Sequence, residues 1–87
     1  LPHEDYNIFL ETRAEKDLDN LDHARRKRIV ASLLFLKKDP RHNAKKLKGP
    51  LSVYRIRIGD WRVIYEINDN AKKILVYRIK HRSEAYR

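Results

Sequence analysis

The stretch Tyr54-Arg55-Ile56-Arg57-Ile58-Gly59-Asp60-Trp61-Arg62-Val63-Ile64-Tyr65 alternates apolar and basic side chains on both sides of a Gly-Asp pair. A period of two marks strands that bury one face, and Gly-Asp between two such runs marks a tight hairpin. A two-residue turn sets Ile58 opposite Trp61, Arg57 opposite Arg62, Ile56 opposite Val63 and Tyr54 opposite Tyr65. The apolar residues then share one face, and Arg55, Arg57 and Arg62 share the other. Like charges directly across a sheet destabilise it, so folding alone gives no reason for this arrangement. Guanidinium forks match the oxygens of phosphate, and the pattern points to an anion-binding face. Glu66, opposite Val53, is the only strand carboxylate expected there.

The flanking sequence supplies the rest of the fold. Tyr6 to Leu10 suits a short first strand. Thr12 caps a helix from about Arg13, with Glu15 completing a capping box, and Ala14, Leu18 and Leu21 share its inner face. Asp22 opens a longer helix from about His23 to Lys38. Its stripe is Ile29, Leu33 and Leu36, widened by Val30, Leu34 and Phe35. Asp39-Pro40 ends it, because the residue before proline avoids helical geometry. A basic loop leads to Gly49-Pro50, the hairpin covers about 53–67, and a last strand runs from Lys73 to Lys80. The order β-α-α-β-β-β predicts an α+β domain, with two helices packed on one face of a mostly antiparallel sheet. Residues 1–87 are expected to form one domain, with 1–5 a loose N-terminal extension.

Composition narrows the function. The 38% of charged residues would suit disorder, but the apolar residues are periodic, which argues for a core. A net charge of +9 calls for an anionic partner. The absence of cysteine excludes disulfides and thiolate metal sites and is compatible with a reducing cytoplasm. No apolar run reaches the roughly 18 residues of a membrane span, and Leu1-Pro2-His3-Glu4-Asp5 does not read as a signal peptide. With two glycines there is no phosphate-cradling glycine loop, and the four histidines lack metal-ligand spacing. No cofactor or metal is expected. Metal-free cleavage of RNA is the enzymatic option left, with positive charge around the pentacoordinate phosphate and an acid for the leaving oxygen.

Two further clusters suit a nucleic-acid partner. The tail Lys80-His81-Arg82-Ser83-Glu84-Ala85-Tyr86 combines basic groups with an aromatic ring, the pairing that grips a single-stranded backbone and stacks a base. A one-residue slip would exchange the faces of Lys80 and His81. Lys45, Lys46 and Lys48, with Arg41 and His42 upstream, add phosphate contacts from a loop. Arg25, Arg26, Lys27 and Arg28 read mostly as a solubilising helix surface.

Over nearly its full length the chain resembles the RelE branch of the RelE/ParE toxin superfamily. The resemblance rests on the element order, Lys46-Leu47-Lys48-Gly49, the hairpin, and the ending His81-Arg82-Ser83-Glu84-Ala85-Tyr86. It implies a cytoplasmic type II toxin that cleaves mRNA in the ribosomal A site and is held inactive by an acidic, RelB-like antitoxin. By position, Arg55 and Arg57 match the two basic residues of the first hairpin strand, and Arg62 matches the arginine on the scissile phosphate. Lys80 falls where some relatives carry an arginine acid, and Tyr86 matches the base-stacking tyrosine. The hairpin bases are lysines in the best-known RelE enzymes, and arginine, with a pKa above about 12, is a poor base. His81 is therefore a further candidate for proton transfer. The alternatives are a ParE-like gyrase poison without RNase activity and a non-catalytic basic RNA-binding module.

Overall fold

In the computed structural model, which describes residues 5–49 and 52–84, the chain runs β1 (Asn7–Leu10), α1 (Thr12–Asp19), α2 (His23–Leu36), β2 (Lys45–Lys46), β3 (Val53–Ile58), β4 (Trp61–Asn68) and β5 (Lys73–His81). The strands form one sheet in the order β1-β5-β4-β3-β2, antiparallel except where β1 lies beside β5. This is the expected α+β layering, with one addition. The lysine loop contributes β2, whose Lys45 and Lys46 pair with Arg55 and Tyr54; two residues are too few to show a period in sequence.

β3 and β4 pair in the register that the turn dictates, from Ile58 opposite Trp61 to Val53 opposite Glu66. Gly59 has φ 60°, whereas Asp60 is outside the left-handed region. Glycine at the first central position is what a II′ turn requires. Ile56, Ile58, Val63, Tyr65 and Ile67 are buried on one side of the hairpin, in a single cluster with Ala14 of α1 and Ile29, Leu33 and Leu36 of α2. Each buried Val, Ile or Leu among them contributes ~1.5–3 kcal/mol by leaving water.

Three expectations need correction. The α2 stripe is narrow: Val30, Leu34 and Phe35 are 37%, 56% and 51% exposed. The sheet is a single layer against one flank of α2, and the described residues provide no second layer for the other. The helix also ends at Leu36 rather than Lys38. The third correction is at α1, where Thr12 is already helical and no side chain caps the first turn. Glu11 N–H donates to the Val76 carbonyl at 2.9 Å, so strand pairing carries the chain straight into α1 with no free cap residue. Asp22 does cap α2, its carboxylate accepting from Arg25 N–H at 2.8 Å.

α1 also shapes β5. Pairing with β1 ends at Leu10 opposite Val76, which leaves the remaining edge of β5 open to α1. Asp17 fills it, accepting from Ile79 N–H at 2.9 Å and Arg78 Nε at 2.8 Å. Beside this contact the register slips: Tyr65 faces Val76 but Ile64 faces Arg78, so Tyr77 is the extra residue of a bulge.

Candidate functional site

The bulge decides which basic residues meet. Beyond it Lys80 stands opposite Arg62, and Arg62 stands opposite Arg57. Directly paired antiparallel residues lie on the same face with Cβ atoms ~4.5–5.5 Å apart. Lys80, Arg62 and Arg57 therefore form a row across three strands, on the face away from the helices. A second row runs from Arg78 through Ile64 and Arg55 to Lys45. Arg78 is ion-paired with Asp17 at 2.8 Å, and Arg55 is half-buried with its Nε enclosed. Glu66 is the only carboxylate in the five strands. It lies four residues along β4 from Arg62 and accepts a hydrogen bond from Tyr77. That bond, aided by burial, pushes the Tyr77 phenol up to about 12.

At the hairpin end of the first row is a concave site of about 270 Å³, lined by Arg57, Gly59, Asp60, Trp61, Arg62 and Arg82. The chain beyond β5 is tied there, since Arg82 N–H donates to the Asp60 carbonyl at 2.7 Å and its guanidinium lies 3.7 Å from the Asp60 carboxylate. His81 is paired with Trp61, on the opposite face from Lys80, with the two rings edge-to-face at 5.0 Å. Ser83 N–H donates to His81 Nδ1 at 3.2 Å.

The other expected residues divide. Lys45 joins the basic face opposite Arg55, whereas Lys46, opposite Tyr54, takes the helix side. Lys48 is exposed beyond β2. Tyr86 lies outside the described residues. Arg41 and His42 do not serve the site: Arg41 is paired with Asp69 at 2.8 Å and donates to the Tyr54 hydroxyl at 3.1 Å, and His42 lies 3.6 Å from Asp39. The arginines of α2 are more than a solvated surface. Arg25 pairs with Asp22, and Arg26 donates to the carbonyls of Leu18, Asp19 and Leu21 at the end of α1. Arg28 packs its guanidinium against Gly59 of the hairpin turn. Sequence held no signal for that contact, because the two residues meet only once α2 lies on the sheet. Among the described residues no group of three His, Asp or Glu side chains could hold a metal ion.

Residues 8–86 match the family described as ParE toxin of type II toxin-antitoxin system, parDE. The chain is 33% identical over 86 residues to RelE1 of Methanocaldococcus jannaschii, an alignment that covers 94% of this chain and 96% of that relative. Among solved structures it resembles the toxin-antitoxin complex RelBE2 of Mycobacterium tuberculosis, with a TM-score of 0.80, 26% identity, and coverage of 90% of this chain and 99% of the other. It also resembles the isolated RelE toxin of E. coli, with a TM-score of 0.78, 27% identity, and coverage of 93% and 90%.

Proposed function

This chain belongs to the ParE toxin family of type II toxin-antitoxin systems, within the RelE/ParE superfamily, and from that premise we propose that it is a ribosome-dependent endoribonuclease that cleaves mRNA in the A site. The observation that carries the reading is the row Lys80-Arg62-Arg57 on the open face of the sheet. Arg57 and Arg62 take the non-bridging oxygens of the scissile phosphate, whose charge grows as the adjacent 2′-hydroxyl gives its proton to solvent water, bonds to phosphorus and displaces the 5′ oxygen. Lys80, beside Arg62, donates a proton to the departing 5′ oxygen. Arg55 is permanently cationic and acts as a phosphate ligand rather than as the base. His81, beside Trp61 on the face opposite Lys80, stands apart from the phosphate row, and Tyr86 stacks on a base of the message. Lys45, Lys48 and Arg82 hold the surrounding RNA, whereas Lys46 lies on the helix side and is not assigned to it. The activity belongs in the cytoplasm, where ribosomes and message meet.

The same reading gives the chain an acidic, RelB-like antitoxin. The net charge of +9 supports an acidic partner, and the neighbouring RelBE2 structure is a toxin-antitoxin complex. Val30, Leu34 and Phe35 on the outer flank of α2 offer such a partner an apolar strip.

Primer extension on translated mRNA tests the nuclease reading. Wild type should give breaks within the A-site codon, and Arg62→Ala should lower cleavage by ~10²–10³-fold, the usual effect of removing one group that stabilises transition-state charge. Circular dichroism should show the variant folded. A folded wild type that is inert on programmed ribosomes overturns the proposal. A second reading, gyrase poisoning, draws support from the ParE description of the matching family. It predicts gyrase-dependent DNA breaks and no mRNA cleavage.

A further inference from the structure

Gly59 is hemmed in from the helix layer: a Cβ there would lie 3.1 Å from Arg28 Nη1 and 3.5 Å from its Cζ. The glycine required by the turn also lets a guanidinium close on the hairpin tip. Of the three arginines at the start of α2, Arg25 is neutralised by Asp22 and Arg26 is used by the carbonyls of α1. Arg28 is exposed, and among the described residues no carboxylate pairs with it. The same Gly59 lines the concave site that holds Arg57, Arg62 and Arg82. Four arginines from three separate parts of the chain thus surround one turn, and Asp60, the one carboxylate among the described residues that line the site, is beside Arg82.

We propose that Arg28 is a further phosphate-binding residue, and that a single-stranded RNA crosses the hairpin tip from the Arg57-Arg62 row towards the start of α2, with a neighbouring phosphate on Arg28. This rests on the nuclease reading for the identity of the polyanion. A folding brace needs only the packing of the guanidinium on Gly59. A phosphate ligand additionally needs a charge that no carboxylate has taken, and among the described residues Arg28 meets both conditions.

The test is a salt titration of binding to a labelled 12-nucleotide single-stranded RNA, by fluorescence anisotropy between about 50 and 300 mM KCl. It compares wild type, Arg28→Ala, Arg28→Lys and Lys16→Ala, the last removing an exposed charge on α1. Arg28→Ala should flatten the slope of log affinity against log salt by ~0.7, the value of one phosphate contact on a single strand. Arg28→Lys should keep the slope, and Lys16→Ala should leave it unchanged. Equal flattening in Lys16→Ala and Arg28→Ala means that binding tracks total charge and overturns the assignment. So does a folded Arg28→Ala protein with lowered thermal stability and the full slope, the mark of a brace alone. Wild type that cuts on programmed ribosomes while Arg28→Ala keeps its slope overturns only the Arg28 assignment. Wild type that fails to cut but shows the Arg28 slope overturns only the nuclease reading.

Discussion

Tyr65 illustrates how one residue spends both ends of its side chain. Its ring is fully buried, stacked at 6.2 Å on Tyr54, and its hydroxyl donates to the Pro40 carbonyl at 2.6 Å. Burial pushes the phenol well above its ordinary range, so it stays a neutral donor. That hydrogen bond fastens the segment after α2 to the centre of the sheet. Tyr65→Phe keeps the packing but strands the carbonyl of a buried residue, and should cost ~1–3 kcal/mol. In urea the midpoint should fall with an unchanged m-value; an unchanged midpoint would mean that the hydroxyl is idle. Alternation in sequence identifies Tyr65 as inward-facing. It says nothing of Pro40, a residue 25 positions away.

At the scale of elements, α1 acts as an edge strand made of one carboxylate. Asp17 satisfies Ile79 N–H and Arg78 where β1 has run out. Burial works against its charge, but the Arg78 and Ile79 hydrogen bonds win and hold the carboxyl below its ordinary value. The bulge at Tyr77 lies next to this contact and turns Lys80, rather than His81, toward Arg62. Asp17→Ala should cost ~2 kcal/mol, the worth of hydrogen bonds to a charged group, measured by chemical denaturation. Amide exchange at Ile79 should accelerate more than at Val63 of the neighbouring strand. Equal protection at the two amides would separate Asp17 from the bulge.

Across the whole molecule, charge and core are sorted by the sheet. The helices cover one face, and the basic rows collect on the other. The end of the molecule remote from the hairpin tip is held by a different device. Asp69, in the β4–β5 turn, takes hydrogen bonds from Arg41 and from Tyr6, and Arg41 also reaches the Tyr54 hydroxyl. The Arg41 bond first, then that of Tyr6, lowers the Asp69 carboxyl from 3.8 to about 2. A depressed folded value means that the stabilisation is complete above the unfolded value and fades as pH falls from about 4 through 2. The difference in melting temperature between wild type and Asp69→Asn should therefore be constant near pH 5 and above, then shrink toward zero by about pH 2. A difference independent of pH would show that the carboxylate's charge is not what holds this end together. The group is exposed, so added salt should narrow the gap.

The local sequence by itself determined the hairpin, its register, the cap at Asp22 and the sharing of a face by Arg55, Arg57 and Arg62. Turn geometry and a period of two act between residues a few positions apart, so both can be read along the chain. It gave the inner stripe of α2 correctly but not its width, because width depends on how much surface the sheet presents. Only the tertiary structure decided that Lys80 joins Arg62 while His81 turns to Trp61, since the register there is set by a bulge that lies beside the contact between Ile79 and Asp17, 62 residues away. It likewise converted Lys45 from a loop residue into a member of the basic face and brought Arg28 to the hairpin tip. A side chain's partner across such distances is set by how layers stack, and no local pattern carries that information.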